Sequence, residues 1–349
     1  MDRRNTKKIK VGNIYVGGDS PITVQSMTNT DTRNIEATVS QIIKLEEAGC
    51  DIVRCAVPDI EASEALEKII KHVHIPVVAD IHFDYRLALC AIKSGVSALR
   101  INPGNIGTKE RVKVVAEAAK EKNIPIRIGV NSGSVEKDVL SKYSKICPEA
   151  LVESALKHVD ILESLNFFDI AISIKSSNVI QMLDSYRLIS KKVEYPLHVG
   201  VTESGTIWRG TIKSSIGIGT LLCEGIGDTI RVSLTGDPVE EVKVGREILK
   251  SIGLIDSGIE FISCPTCGRT QIDLIRIAKE VEEKVSKLNK KIKIAVMGCA
   301  VNGPGEAKEA DIGIAGGNGE GLIFKKGEII KKVKEENLVE ELLREINNL

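Results

Sequence analysis

Short apolar runs rich in β-branched residues recur through about the first 235 residues, and a stretch with helical periodicity follows each run. The runs predict eight strands, at Ile22–Ser26, Asp51–Ala56, Val77–Ile81, Ala98–Asn102, Ile126–Val130, Ile170–Ile174, Leu197–Val201 and Thr229–Leu234. The periodic stretches predict helices at Ile35–Ala48, Ile60–Lys71, Tyr85–Ser94, Arg111–Glu121, Pro148–Leu165, Val179–Lys191, Thr211–Glu224 and Val239–Ser251.

The near-continuous apolar character of these strands indicates a parallel sheet that is buried on both faces. Eight alternating strand–helix units in about 250 residues predict an α/β protein with an N-terminal TIM (β/α)8 barrel. A doubly wound open sheet is the alternative, but no GxGxxG loop follows the first strand, which counts against it. We place the barrel at residues 1–255.

Residues 256–349 differ in character and predict a second, small α/β domain. They contain a Gly-rich tract from Gly298 to Gly321. Apolar patterning predicts a helix, a strand, two short strands and a closing helix, at Gln271–Leu288, Ile292–Met297, Asp311–Ala315, Gly321–Phe324 and Leu338–Asn348.

Composition narrows the class of protein. The 349 residues are 42% hydrophobic and 28% charged, which is typical of a globular protein with a sizeable core. Lys+Arg and Asp+Glu both total 48, so net charge gives no general attraction to nucleic acid or membrane. The basic N-terminus has no apolar signal region after it, and eight cysteines lack a small secreted scaffold. We therefore expect a cytoplasmic protein.

Three cysteines in the second domain form a candidate metal site. Cys264 and Cys267 are a CxxC pair, and Cys299 lies in a Gly/Pro-rich loop. No histidine follows His198, so the zinc sites that need one are excluded. Three soft ligands with an open or oxygen-donor fourth position favour an iron–sulfur cluster, and Glu306 is the nearest oxygen donor to Cys299. A structural zinc is the main alternative, and a Cys264–Cys267 disulfide is a weaker one.

Polar residues at the predicted strand ends form a second candidate site, because the active site of a TIM barrel lies at the carboxyl ends of its strands. Five cations converge on this end: Arg54, Arg100, Arg127, Lys175 and Arg231. Each alone would usually be a salt-bridged structural residue. Five together repel one another unless an anion is present, and arginine suits bidentate phosphate contacts. The pattern therefore predicts a substrate with several negative charges, such as a diphosphate.

Further strand-end residues supply neutral and titratable groups. Asn102, Asn131 and Ser233 would add hydrogen bonds to the substrate. Asp80 and His82 share one face of a regular strand and could form an orienting pair, although Asp80 could equally serve only to neutralise an arginine. Glu203, among cations, is a candidate proton donor or acceptor, with a salt bridge as the alternative.

Taken together, these segments resemble one family, the 4-hydroxy-3-methylbut-2-en-1-yl diphosphate synthases of the methylerythritol phosphate isoprenoid pathway. The resemblance covers nearly the whole chain. It rests on the segments Val24–Thr30, Val53-Arg54, Ala79–Phe83, Leu99–Asn105, Arg127–Ser134, Ser173–Ser177, His198–Glu203, Arg231–Thr235, Ser263–Thr270 and Met297–Glu306. The short spacing between Ser233 and Cys264 matches the two-domain form of the family.

The resemblance implies an activity and the residues that carry it. The family opens the ring of 2-C-methyl-D-erythritol 2,4-cyclodiphosphate by a two-electron reduction with loss of water, giving (E)-4-hydroxy-3-methylbut-2-enyl diphosphate. The resemblance implies a [4Fe–4S] cluster held by Cys264, Cys267, Cys299 and Glu306, with Glu203 as a proton donor near the reacting hydroxyl. Asp80 and His82, paired by their spacing, complete the expected catalytic set. The implied substrate-binding set is Arg54, Arg100, Asn102, Arg127, Asn131, Lys175, Thr202, Arg231, Ser233 and Asn302.

Partners follow from the same resemblance. Flavodoxin or ferredoxin would deliver the electrons, and a homodimer would place each cluster domain over the partner's barrel. Two other functions remain open from the residues alone. One is a non-redox TIM-barrel enzyme that acts on a phosphorylated substrate and carries a structural zinc in its tail. The other is a cluster-bearing sensor, for which a pocket lined by five cations would have no use.

Overall fold

The computed structural model describes residues 2–255, 258–285, 288, 290–300 and 307–349, and for Ser134 it describes the backbone alone. The chain divides into two compact units, Met1–Leu254 and Ile255–Leu349. In the described parts of the chain, no helix is long and apolar enough to span a membrane.

The first unit contains an eight-stranded parallel sheet preceded by a small hairpin. The hairpin strands are β1 (Ile9–Val11) and β2 (Ile14–Val16). The sheet strands are β3 (Thr23–Met27), β4 (Ile52–Ala56), β5 (Val77–Asp80), β6 (Ala98–Ile101), β7 (Ile126–Asn131), β8 (Ile170–Lys175), β9 (His198–Val199) and β10 (Thr229–Ile230). All eight predicted sheet strands are thereby found.

The sheet is a closed barrel. Its strand order is β8-β7-β6-β5-β4-β3-β10-β9, and every neighbouring pair is parallel. A parallel bridge between Ile172 of β8 and Leu197, beside β9, joins the two ends of that order. The predicted TIM barrel is confirmed, and the open doubly wound sheet is wrong.

Ten helices are described in the first unit, and they alternate with the strands. They are α1 (Ile35–Glu47), α2 (Ile60–Ile70), α3 (Tyr85–Lys93), α4 (Pro103–Ile106), α5 (Lys109–Glu121), α6 (Lys137–Tyr143), α7 (Pro148–Glu163), α8 (Val179–Ser190), α9 (Ile207–Cys223) and α10 (Pro238–Ser251). Most predicted bounds hold within two residues, and Asn or Asp caps open several helices. The short helices α4 and α6 and the 3₁₀ turn Ser132–Ser134 were not predicted.

Two of the predicted strands, β9 and β10, are much shorter than expected: each pairs with its neighbours over two residues only. β10 ends at Ile230 instead of Leu234, and the amide of Leu234 donates to the Glu241 carboxylate at 2.9 Å rather than to a strand. β9 spans His198–Val199 instead of Leu197–Val201. Glu203 then has a φ of +51°, which no strand adopts.

The N-terminal hairpin fills the bottom of the barrel. Ile9, Val11 and Val16 are buried against strand residues that point inward near the strand beginnings, among them Ile52 and Val78. Strands of three residues are too short to give an alternating signal, so the hairpin was not predicted. The hairpin closes the lower end with apolar side chains, which leaves the carboxyl ends of the strands as the polar end of the barrel.

In its described residues, the second unit is a five-stranded mixed sheet with two helices. Its elements are β11 (Ile259–Ser263), α11 (Leu274–Val285), β12 (Ile292–Met297), β13 (Ile312–Gly316), β14 (Glu320–Lys325), β15 (Glu328–Lys334), the 3₁₀ turn Glu335–Asn337 and α12 (Leu338–Asn347). The strand order is β11-β12-β13-β14-β15, with β11, β12 and β13 parallel. The predicted α/β fold is confirmed, and α11 begins later than predicted. Strands β11 and β15 were missed, since both are largely exposed and carry charged residues.

Candidate active site

A buried carboxylate between two arginines forms the centre of the barrel mouth. Asp80 ends β5 and is only 3% exposed. Its Oδ1 lies 3.3 Å from Nη1 of Arg100, and its Oδ2 lies 3.6 Å from Nε of Arg54. Nε2 of His82 approaches Oδ2 at 3.8 Å, and the His82 side chain is more than half exposed. The sequence placed these four residues together correctly, and the contacts favour a charge-neutralising role for Asp80.

The charge states follow from this packing. Burial raises the pKa of Asp80, but the charges of Arg54 and Arg100 outweigh it and lower the pKa to about 2. Burial lowers the pKa of Arg54 to about 9, against the attraction of Asp80. Burial of the charged arginines is unfavourable in the empty mouth, and a bound anion would offset this desolvation cost. The mouth is therefore suited to binding anions.

Arg127, on β7, is the register partner of Arg100 and also lines the cavity next to the N-terminal hairpin. Its Nη1 donates to Oε1 of Gln25 across the barrel. Its Nε and Nη2 are buried and have no hydrogen-bond partner within the described residues. Burial lowers the pKa of Arg127 well below its ordinary value. Gln25, 2% exposed, was not among the predicted site residues although it lies in the first segment of the motif set, Val24–Thr30.

Gly129 makes the room that Arg100 occupies. A Cβ atom on Gly129 would lie 2.4 Å from Nε and 2.5 Å from Nη2 of Arg100, far inside van der Waals contact. Nη2 of Arg100 also donates to the carbonyl of Gly129 at 3.3 Å. The absence of a side chain at Gly129 therefore leaves the space that the Arg100 guanidinium of the neighbouring strand occupies.

We expect Gly129→Ala to displace the Arg100 guanidinium and to weaken the binding of a diphosphate substrate roughly tenfold, the equivalent of one lost hydrogen bond. Gly219→Ala is the matched control, because a Cβ there meets no atom within 4 Å. Isothermal titration with the substrate would compare the two. Equal affinity in both variants would show that Arg100 does not depend on this space.

Lys175 and His198 line a small opening near the carboxyl ends of β8 and β9. The other lining residues are Arg54, Ser173, Gly200, Val201, Thr202, Arg231 and Ser233. Burial, with the charges of Arg54 and Arg100, lowers the pKa of Lys175 to about 6. Burial also lowers the pKa of His198 well below 6.5, so this imidazole is neutral. The opening brings together five residues of the predicted substrate-binding set.

The Lys175 pKa gives a prediction for pH. Lys175 is neutral above about pH 6 in the free protein, and an anion in the opening favours its protonated form. Affinity for a diphosphate should be constant below this pKa and should fall above it, by up to about tenfold per pH unit. Near pH 7.5, calorimetry in buffers of different ionisation enthalpy should detect proton uptake on binding. Lys175→Met should remove that uptake, and a wild-type protein that takes up no proton would contradict the prediction.

A second buried carboxylate, that of Glu241, lies next to Arg231. Glu241, on α10, is 6% exposed, and its Oε2 accepts from Oγ of Ser26 at 3.0 Å and lies 3.8 Å from Nη2 of Arg231. Its Oε1 accepts from the amide of Leu234 at 2.9 Å. Glu241 thus ties the first and last barrel strands together beside the predicted substrate arginine. It was not predicted from the sequence, since its charge falls at a helix position that looks solvent-facing.

The remaining predicted residues of the barrel have simpler surroundings. Oδ1 of Asn102 caps α4 by accepting from the amide of Gly104 at 3.1 Å. Asn131 ends β7 half-buried, and Ser233 is half-buried beside the opening. Glu203 is exposed directly after Thr202, in a left-handed conformation that is unusual for a residue with a side chain.

The three cysteines of the second unit lie on two loops that are joined by hydrogen bonds. The amide of Gly298 donates to Sγ of Cys264 at 3.2 Å, and the amide of Gln271 donates to the carbonyl of Gly298 at 2.9 Å. Cys299 is buried, whereas Cys267 is exposed and hydrogen bonds from Arg269 lower its pKa. All eight cysteines are free thiols. Glu306 and Asn302 lie outside the described residues.

These thiols fit a cluster in chemistry. Three soft donors are available, and one thiol is biased toward the thiolate form that binds metal. Among the residues that the structure describes, no three His, Cys, Asp or Glu side chains converge at metal-binding distance.

Family models match both units. Residues 6–246 match the GcpE TIM-barrel domain, and residues 260–348 match the GcpE protein C-terminal domain. Together the two matches span most of the chain.

Full-length relatives are highly similar. The chain is 77% identical over its whole length to the 4-hydroxy-3-methylbut-2-en-1-yl diphosphate synthase (flavodoxin) of Clostridium acetobutylicum, all of which is covered. It is 71% identical to the protein of the same description from Clostridium perfringens, again over the full length of both. A third relative of that description, from Shouchella clausii, is 59% identical, with all of this chain and 95% of the relative covered.

Solved structures with this fold are more distant in sequence. Dihydropteroate synthase from Stenotrophomonas maltophilia superposes with a TM-score of 0.52 at 14% identity, over 70% of this chain and 97% of that one. The Yersinia pestis dihydropteroate synthase gives a TM-score of 0.50 at 12% identity over the same shares. At such identities the likeness concerns the barrel fold alone.

Proposed function

The chain belongs to the GcpE family, and we propose on that basis that its barrel mouth binds a cyclic diphosphate and that its second unit carries the [4Fe–4S] cluster for the reduction of that substrate. The chain is an oxidoreductase with the family's activity. It converts 2-C-methyl-D-erythritol 2,4-cyclodiphosphate into (E)-4-hydroxy-3-methylbut-2-enyl diphosphate with two electrons and loss of water. The relatives' names specify flavodoxin, which we take as the electron donor.

The buried cation cluster is the observation that carries the substrate assignment. Arg54, Arg100, Arg127 and Arg231 surround the mouth together with Lys175, which a bound anion would protonate, whereas Asp80 and Glu241 contact three of these arginines. Desolvated like charges are stabilised by an anion that carries several charges. A cyclic diphosphate supplies such charges at a spacing that bidentate guanidinium groups can match. Asn102, Asn131, Thr202, Ser233 and Asn302 would complete the contacts.

We assign the proton chemistry to residues at the rim. Glu203 follows Thr202 of the opening, and its left-handed backbone is the kind of strain that occurs at functional sites. There its carboxyl group would donate a proton to the hydroxyl oxygen that leaves as water. His82, held near Asp80 and exposed toward the mouth, would orient the substrate or share in this transfer.

Cys264, Cys267, Cys299 and Glu306 would hold the cluster. The linked loops of Cys264 and Gly298 support the pairing of the CxxC segment with Cys299. Glu306 follows in the same Gly/Pro-rich segment. A hard carboxylate exchanges more easily than a thiolate, so this ligand set suits a cluster that contacts substrate. When bound, the cluster would supply single electrons to the ring-opening step.

We also propose a homodimer in which each second unit caps the partner's barrel. Helix α10 begins at the mouth, where Glu241 contacts Ser26, and reaches the opposite end, where Nε of Arg246 donates to the carbonyl of Gly49 at 2.6 Å. The chain therefore leaves the barrel at the end away from the substrate. Residues 252–258 then lead to β11, and a chain extends at most about 3.5 Å per residue. This segment gives little length for a return to the mouth, and a two-fold dimer needs no such return.

Subunit mixing tests the dimer. One variant combines Arg231→Met with Glu203→Gln in the barrel, and the other carries Cys299→Ser. Each is expected to be inactive alone. After subunit exchange, a heterodimer with units crossed between chains has one intact barrel facing one intact cluster, so activity should return. If each chain used its own cluster, no heterodimer would have a working site and the mixture would stay inactive.

Turnover under anaerobic conditions tests the proposed function. The purified protein should contain iron and sulfide, should be brown, and should form the butenyl diphosphate from the cyclodiphosphate only when reduced flavodoxin is present. Phosphorus NMR would identify the product. The family membership disfavours the non-redox enzyme with a structural zinc. A colourless, zinc-containing protein that acts on the substrate without reductant would reinstate that alternative.

A further inference from the structure

A buried histidine lies beneath two of the loops that form the barrel mouth. His158, on α7, has a side chain that is 2% exposed, and its Nε2 lies 2.7 Å from Oε1 of Glu136. Glu136 immediately precedes α6, in the connection that follows β7 and Asn131. Burial alone would raise the pKa of Glu136. The contact with His158 acts in the opposite direction, and the pKa is lowered overall, so the carboxylate is ionised near neutral pH.

The second loop reaches the same histidine through Gly104 of α4, in the connection that follows β6. A Cβ atom on Gly104 would lie 2.8 Å from Cε1 of His158 and 3.5 Å from Oε1 of Glu136. The loop therefore rests directly on the His158–Glu136 pair. The amide of Gly104 is in turn held by Oδ1 of Asn102 at 3.1 Å. Packing thus runs without interruption from Asn102 through Gly104 and His158 to Glu136.

A second pair joins the same two elements but differs in environment. Nζ of Lys157 lies 2.5 Å from Oδ2 of Asp138, and the Asp138 side chain is 72% exposed. Exposed pairs of this kind contribute little, because water screens them. The Glu136 side chain is 28% exposed and its partner is fully enclosed. Substitutions in the two pairs can therefore be compared to distinguish a loop-supporting role from simple charge pairing at the surface.

We propose that His158 and Glu136 are positioning residues, which fix the loops after β6 and β7 against each other and so set the positions of Asn102 and Asn131 at the substrate. The proposal rests on the proposed function of the mouth. Neither side chain needs to touch the substrate. A displacement of about 1 Å in substrate-contacting groups is enough to reduce catalytic efficiency by up to roughly a hundredfold.

Steady-state kinetics with the cyclodiphosphate, measured anaerobically on the cluster-containing enzyme, test the proposal. Glu136→Ala removes the carboxylate that lies 2.7 Å from His158 and should raise KM roughly tenfold or more, because the two loops lose this shared contact. Glu136→Gln retains an acceptor oxygen and should recover most of the loss. Asp138→Ala, the matched control, should behave as wild type. Thermal unfolding of each variant would show how much stability changes.

The outcomes separate the two hypotheses. A lower Tm for Glu136→Ala with KM unchanged would mean that the pair only stabilises the fold, and the positioning role would be wrong. If Glu136→Ala does not fold, Gly104→Ala decides, because it moves the loop off His158 while leaving the pair intact; an unchanged KM there also overturns the proposal. Absence of turnover in the wild-type and Asp138→Ala proteins would instead count against the proposed function.

Discussion

Cys299→Ser is expected to abolish turnover and the iron–sulfur absorbance together. The hydroxyl of serine is a harder and less easily ionised ligand than the thiol of cysteine, so the site should lose cluster iron. Cys299 is buried next to Gly298, whose amide donates to Sγ of Cys264, so the lost ligand lies beside the CxxC segment. Iron and sulfide content, the visible spectrum and anaerobic turnover would be measured on one preparation.

The same variant should still bind the cyclodiphosphate, since the cation cluster belongs to the barrel unit. Cys223→Ser is the matched control, because Cys223 is an exposed thiol at the end of α9 and should be dispensable. Turnover at the wild-type rate in Cys299→Ser would remove this cysteine from the ligand set. Loss of both binding and Tm would show that the substitution had damaged the fold instead.

The second large effect is expected for Arg54→Met, which should weaken cyclodiphosphate binding by roughly 1.5–3 kcal/mol, or about 10- to 150-fold. Arg54 is 3% exposed, and besides Asp80 it contacts only the weak acceptor Sδ of Met27 among its described hydrogen-bond partners. Burial disfavours its charge in the empty protein. The Tm without substrate should therefore hold or rise, because Asp80 keeps Arg100 as its partner.

Titration calorimetry and thermal unfolding would measure both parts of this prediction. Arg33→Met is the control: Arg33 forms exposed ion pairs with Asp31 and Asp59 and should affect neither binding nor stability much. A large fall in Tm for Arg54→Met, with substrate affinity preserved, would show that Arg54 is a structural residue and that the mouth does not hold the diphosphate in this way.

The barrel could be predicted from the sequence because its signal is local. Runs such as Val77–Ile81 and Ile170–Ile174 are apolar throughout, and only burial on both faces explains such runs. The strand-end rule then placed Arg54, Asp80 and Arg100 together before any contact was known. Those three residues do meet in the structure. Their grouping needed only the parallel arrangement of neighbouring strands.

The supporting residues could not be predicted, because their roles depend on packing between distant segments. Glu241 lies in the first turn of α10, where a carboxylate is ordinary, and only the fold brings it to Ser26 and Arg231. Gln25 and His158 are equally unremarkable in sequence, yet both are buried against charged partners. The early end of β10 has the same origin, since Glu241 takes the amide of Leu234 from the ladder.

Electron counting tests the central claim most directly: that the substrate held by the barrel is reduced through the cluster of this protein. The anaerobic enzyme would receive excess cyclodiphosphate and a limiting, known amount of one-electron reductant, and the butenyl diphosphate would be quantified. We predict one product molecule for every two electrons consumed. More than one product molecule for every two electrons supplied, or reductant consumed without any product, would contradict the account.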